Sequence, residues 1–84
     1  MKALNELPNI GKTLAQKLIE VGITTPKILK EKGLKKSFLL IREKDATACL
    51  NMLYALEGAI QNIRWHDLSE QTKENLKQYY LSLK

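Results

Sequence analysis

The apolar residues constrain the fold of this chain more than any other feature. Leu occurs fifteen times and Ile seven times, against one Val and five Thr. Leu is a strong helix former, whereas Val, Thr and the aromatic residues are enriched in strands. A chain of 84 residues is also too short to build a second hydrophobic core. The sequence therefore predicts an all-α fold in a single domain that spans residues 1–84.

Helical spacing and helix-ending signals divide the first half of the chain into two helices. Apolar residues recur every three or four positions over residues 11–21, which is typical of an amphipathic helix. Gly22 follows and can end this helix in a left-handed conformation. Thr25 and Pro26 then form a helix start, with Thr as N-cap and Pro at the first helical position. Gly33 is expected to end this second, shorter helix.

Three more helices are expected in the second half. Residues 35–42 contain a continuous apolar run whose periodicity fits helix or strand, and we assign helix because no partner strand is visible. Residues 46–60 are apolar on more than one face, as in a central helix, and Asp45 can cap its start. Ser69, in a possible capping box, begins the last helix, which runs to the C-terminal end. The sequence thus predicts five helices.

The central helix and the segment after it supply the predicted core. The expected core residues are Leu53, Leu56, Gly58, Ile60 and Trp65. Gly58 lies inside a helix, where glycine costs about 1 kcal/mol relative to Ala, so we expect another helix backbone to pack closely against it. Cys49 is expected to be a buried small apolar residue.

The composition also indicates that the protein is not an enzyme. One His and one Cys cannot complete a zinc site, and a single Cys cannot form an internal disulfide. No paired carboxylates or nucleophile–base arrangement stands out, so we expect no catalytic residues, no metal and no cofactor. No signal peptide or membrane span is evident, which predicts a cytoplasmic location without membrane contact.

The net charge of +5 lies entirely in the first 36 residues, which contain eight Lys and three Glu. Residues 37–84 contain six basic and six acidic residues and are neutral as a group. Clustered lysines are typical of surfaces that bind polyanions such as nucleic acid. A solvated lysine face on a small soluble protein explains the same pattern, and charge alone does not separate the two explanations.

The first turn resembles the helix-hairpin-helix motif of DNA-handling proteins, on the residues Leu7-Pro8-Asn9-Ile10-Gly11-Lys12. In such a motif the turn leads into a helix N-terminus, and backbone N–H groups of Ile10, Gly11 and Lys12 can bind a phosphate. Asn9 stands where the motif usually has another glycine. The candidate nucleic-acid contacts are Asn9, Ile10, Gly11, Lys12, Lys17, Lys27 and Lys30. The alternative is a structural connector in which Ile10 fills the core and the domain binds proteins.

A second resemblance covers nearly the whole chain. Together with the first turn, the segments Tyr54-Ala55-Leu56-Glu57-Gly58 and Trp65-His66-Asp67-Leu68 resemble the C-terminal domain of the TfoX/Sxy family. The resemblance implies an all-helical domain of helix-hairpin-helix or SAM-like type from regulators of natural competence for DNA uptake. These regulators act on transcription, in some bacteria together with the cyclic-AMP receptor protein. The expected function is a regulatory module with weak, non-specific DNA binding, and the alternative is an adaptor that docks on a transcription-regulatory protein or forms a homodimer.

Overall fold

The computed structural model describes residues 4–45 and 47–83, and within them the fold is all-helical with no strand. The five α-helices are α1 (Lys12–Glu20), α2 (Pro26–Lys32), α3 (Leu34–Lys44), α4 (Leu50–Gln61) and α5 (Glu70–Ser82). Short 3₁₀ turns at Leu4–Glu6 and Trp65–Asp67 precede α1 and α5. The predicted all-α class with five helices is confirmed. In the described part of the chain, none of these helices has the length and apolar character needed to cross a bilayer.

Local capping explains where most helices begin and end. The Thr25 hydroxyl accepts a hydrogen bond of 3.2 Å from Ile28 N, and Pro26 occupies the first position of α2. The Ser69 hydroxyl accepts a 3.1 Å bond from Thr72 N at the start of α5. Gly33 has a φ of +83°, a backbone conformation that glycine adopts without strain, and it turns the chain directly from α2 into α3. These predicted helix boundaries are confirmed.

The start of the central helix differs from the expectation. Helix α4 begins at Leu50 rather than at residue 46, which lies outside the described residues, and Cys49 occupies its N-cap position. Asp45 does not cap α4, because it follows the last residue of α3 and accepts a 2.9 Å bond from Thr47 N. Cys49 is therefore an exposed loop residue and not the buried apolar residue that the sequence predicted.

The hydrophobic core surrounds α4, which contacts α2, α3, α5 and the second 3₁₀ turn. Leu53 and Leu56 have no exposed surface, and Gly58 is buried on the same helix. The other fully buried large side chains come from α1, from α2, from α3 and from the loop after α1: Leu18, Ile23, Leu29, Phe38 and Ile41. The central position of α4 follows from its many apolar residues, and its polar residues Asn51 and Gln61 remain exposed.

Two expected core residues lie at the edge of the core. Ile60 is partly buried and packs against the core from outside. Trp65 is only partly buried, because it lies on the 3₁₀ turn beyond the end of α4. Its ring stacks on Tyr54, with ring centroids 6.0 Å apart, and on His66, with centroids 4.0 Å apart. Trp65 thus lies at the edge of the core against α4 and not inside it, and Leu68, three residues later, is buried.

Candidate nucleic-acid interface

The turn before α1 is anchored in the core from both ends. Leu7 and Ile10 are buried, and Ile10 N donates a 3.4 Å bond to Leu7 O. The N–H of Ile10 is therefore engaged within the turn. Gly11 and Lys12, which follow, are exposed. Burial of Ile10 thus places the start of α1 at the surface.

The N-terminus of α1 has no side-chain cap. Gly11 occupies the N-cap position with φ −88° and ψ −175°, and no side chain accepts a bond from the first turn of the helix. Free N–H groups at a helix start attract anions, because they carry the positive end of the helix dipole. Lys12 adds an exposed cation at the first helical position. This arrangement has the chemistry of a site for one phosphate group.

Asn9 has a structural role that the sequence did not reveal. Its backbone is left-handed, with φ +69°, and its side chain bonds to the segment after α4. The amide Nδ2 donates to Ile63 O at 2.9 Å and to Ala55 O at 3.5 Å, and Oδ1 accepts from Trp65 N at 3.0 Å. The side chain of this candidate contact is therefore occupied by backbone groups. We call this pair of bonds to Ile63 and Trp65 the Asn9 clamp.

Gly58 is needed because of the Asn9 clamp. A Cβ atom at this position would lie 2.4 Å from Asn9 Nδ2 and 2.8 Å from Ile63 O, both far below van der Waals contact. The close neighbours of Gly58 are thus the side chain of Asn9 and the carbonyl of Ile63, and not the helix backbone that the sequence suggested. Glycine here lets the first turn, α4 and the following loop meet at one point.

The candidate lysines divide into two groups. Lys12, Lys27 and Lys30 are exposed, the first on α1 and the others on α2. Lys17 is partly buried and forms an ion pair with Asp45 at the end of α3. The charge of Lys17 is therefore partly neutralised within the protein, and three of the four candidate lysines face solvent.

The ion pair predicts a change in stability at acidic pH. The hydrogen bond from Lys17, together with hydrogen bonds from Thr47, lowers the pKa of Asp45 from 3.8 to about 2. Because the pKa of Asp45 is lower in the folded state than in the unfolded state, the ionised carboxylate stabilises the fold at pH values above the unfolded-state pKa. This contribution is lost as the pH falls from about 4 through about 2. We expect the free energy of unfolding of Asp45→Asn to depend less on pH in this window than that of the wild type. Urea unfolding at pH 5, 3 and about 2 measures the difference, and parallel pH curves would contradict the prediction.

The segment after α4 brings the backbone of a cationic residue close to the turn. Arg64 is exposed and lies between Ile63 and Trp65, the two residues held by the Asn9 clamp. Sequence reasoning missed this neighbour of the turn, because the clamp joins positions 54 and 56 residues apart.

In residues 4–45 and 47–83, no group of three His, Cys, Asp or Glu side chains lies close enough to hold a metal ion.

The structure is a small helical domain in which an uncapped helix N-terminus lies in the basic half of the sequence. The family model described as the TfoX C-terminal domain matches residues 1–80. The DNA transformation protein TfoX of Haemophilus influenzae is 32% identical over 76 residues, which cover 90% of this chain and 35% of that protein. The chain therefore belongs to the TfoX C-terminal domain family. It spans about a third of the length of this relative.

Two crystal structures of proteins from Listeria monocytogenes have the same fold. An uncharacterized protein in a triclinic crystal form is 55% identical with a TM-score of 0.96, over 98% of this chain and 93% of that one. A protein of unknown function in a tetragonal form is 56% identical with a TM-score of 0.93, over 96% of this chain and 99% of that one. Both span nearly the same length as this chain.

Proposed function

We propose that this domain is a non-enzymatic regulatory module that binds DNA weakly through the turn at residues 9–12. The observation that carries the proposal is the exposed, uncapped N-terminus of α1, with Lys12 at its first position. The name of the Haemophilus influenzae relative links that protein to DNA transformation, which supports a role in regulating competence here. Such a role implies a cytoplasmic location.

The charge distribution supports phosphate binding at this turn. All the net charge of +5 lies within residues 1–36, and Lys12, Lys27 and Lys30 are exposed there. Lys17 contributes less than the sequence suggested, because it pairs with Asp45. One helix N-terminus and a few lysines supply about two or three phosphate contacts, fewer than the 6 to 10 of a tight DNA-binding protein. We therefore propose low affinity.

Gly11 supports a close approach of the ligand. Its φ of −88° is accessible to any residue, and a Cβ atom there would have no neighbour within 4 Å. The fold thus has no steric need for glycine at this position, in contrast to Gly58. A side chain at residue 11 would instead project from the helix start, where a phosphate would approach the N–H groups.

Binding to DNA is expected to depend on Lys12 and not on the base sequence of the DNA. Lys12→Glu replaces an attraction of about 1 kcal/mol by a comparable repulsion, so the affinity should fall about tenfold or more. Lys77→Glu, an exposed residue on α5, makes the same charge change and serves as the matched control. Fluorescence anisotropy with a labelled oligonucleotide at about 50 mM salt measures the DNA affinity of both variants. For the wild type, the slope of the logarithm of the affinity against the logarithm of the salt concentration should be about −2 to −3.

The proposal fails if no binding occurs at high micromolar protein, or if Lys12→Glu and Gly11→Val both bind like the wild type. Shuffling the base sequence should leave the affinity unchanged, because backbone N–H groups and lysines meet phosphates and not base edges. A strong sequence preference would contradict this part of the proposal.

The second candidate function is a protein-interaction adaptor or homodimer. The observation that favours it is the exposure of large apolar side chains: Leu39 on α3 is 40% exposed and Leu81 on α5 is 43% exposed. Apolar docking on a transcription-regulatory protein, or on a second copy, would depend only weakly on salt, unlike phosphate binding. Sedimentation analysis of the wild type and of Leu81→Lys tests self-association, which the substitution should weaken if α5 forms the contact.

A further inference from the structure

The turn and the segment after α4 are joined by hydrogen bonds of one side chain. The Asn9 clamp holds Ile63 O and Trp65 N, so the intervening Arg64 is fixed next to the turn. Arg64 has extended backbone angles, with φ −69° and ψ 144°, and its side chain is exposed. Asn9 bonds on both sides of Arg64, so the backbone that carries this exposed cation is held to the turn that leads into α1.

Stacked rings follow Arg64 in the chain. The His66 ring is exposed and lies 4.0 Å from the Trp65 ring centroid, at an interplanar angle of 29°. The Trp65 ring in turn stacks nearly parallel on Tyr54, at 12°, and Lys73 Nζ lies 5.9 Å from the Trp65 centroid. Among these rings, His66 is exposed, whereas Trp65 and Tyr54 are partly buried. We call Arg64, Trp65 and His66 the ring platform.

We propose that the turn and the ring platform together bind single-stranded nucleic acid in preference to duplex. The inference rests on the proposed phosphate site and adds a contact to the base. A phosphate at Gly11 and Lys12 leaves a neighbouring nucleotide beside Arg64, whose guanidinium binds a second phosphate or stacks on the base. A base then stacks on the exposed His66 ring, which itself stacks on the partly buried Trp65 ring. Only a single strand offers free base faces, because duplex bases stack on each other.

In this proposal the preference for single strands comes from the rings and not from charge. The acidic residues Asp67 and Glu70 lie close to the ring platform in sequence, are exposed and offset the charges of Arg64 and Lys73. Phosphate attraction therefore comes mainly from the basic first half and acts on both forms of DNA. Stacking on an aromatic ring depends on an accessible base face, independently of base identity. The platform thus gives strand selectivity without sequence selectivity.

The test compares three probes of about 12 nucleotides, within the usual length range of single-strand sites. They are a mixed-sequence single strand, the same strand paired with its complement, and a single strand without bases. Anisotropy measures affinity for the full chain, and the intrinsic fluorescence of Trp65, the single tryptophan, reports contact at the platform. We expect the single strand to bind most tightly and to change the Trp65 emission. The abasic strand should bind about 5- to 150-fold more weakly, which corresponds to one stacked base.

Substitutions at two exposed residues, with one control, separate the contribution of stacking to binding from that of charge. His66→Ala should abolish most of the preference for the single strand while leaving duplex binding unchanged. Arg64→Gln should weaken single-strand binding, whereas Arg42→Gln on α3, the only other arginine, should not. Because the side chains of Arg64 and His66 are exposed, variants at these two positions are expected to keep the wild-type circular dichroism spectrum.

The outcomes distinguish this inference from the proposed function. Equal affinity for the three probes, with unchanged binding by His66→Ala and Arg64→Gln, would overturn the ring platform. If binding in that case still fell on Lys12→Glu, the phosphate site would stand. If single-strand binding were lost in His66→Ala but unaffected by Lys12→Glu, the phosphate site at the turn would be wrong. No binding to any probe would overturn both.

Discussion

Leu53→Ala is expected to lower the free energy of unfolding by about 2 to 5 kcal/mol, the range for truncation of a buried leucine. Leu53 has no exposed surface and lies on α4, which contacts α2, α3 and α5. The cavity would therefore open where several helices meet, and little of the structure can collapse into it. Urea unfolding followed by circular dichroism measures the change. A small domain has only about 5 to 15 kcal/mol of total stability, so a loss at the upper limit would remove between about a third and all of it.

Leu81→Ala is the matched control for this prediction. It removes the same atoms from a side chain that is 43% exposed, so the change in unfolding free energy should be small in comparison. Equal urea midpoints for the two variants would show that α4 does not lie at the centre of the core.

Gly58→Ala should destabilise the domain by about 1 to 3 kcal/mol, the usual cost of inserting a methyl group into a tightly packed site. Helix propensity alone predicts the opposite sign, because Ala is favoured over Gly inside a helix by about 1 kcal/mol. The steric clash should outweigh the gain in helix propensity, since the new Cβ would lie 2.4 Å from Asn9 Nδ2 and 2.8 Å from Ile63 O. Thermal and urea unfolding of the variant determine the sign directly.

A second substitution separates the two collisions. Asn9→Gly removes the amide nitrogen but leaves the carbonyl of Ile63, so it should relieve only part of the cost of Gly58→Ala in the double variant. By itself, Asn9→Gly should also destabilise the domain, because Ile63 O and Trp65 N lose their bonds to the clamp. A Gly58→Ala variant more stable than the wild type would show that the clamp is not formed.

The positions of the helices could be predicted from the sequence because the interactions that set them are local. The Thr25 hydroxyl binds the N–H three residues later, and Ser69 does the same at the start of α5. Gly33 adopts a backbone conformation that other residues avoid, so a single residue marks a helix end. The apolar run in α3 was ambiguous by periodicity alone, and its helical form agrees with the absence of strands elsewhere in the described chain. Local spacing failed at the start of α4, where Asp45 ends α3 instead of capping the next helix.

By itself, the sequence determined the helical class, the helix ends marked by caps and glycines, the basic first half and the motif at residues 7–12. The tertiary structure alone decided how the site is built. It turned the side chain of Asn9 inward, paired Lys17 with Asp45 and placed Arg64 beside the turn. These contacts join residues 28 to 56 positions apart. Capping and helical periodicity act over three or four residues, so they carry no information about which distant side chains meet.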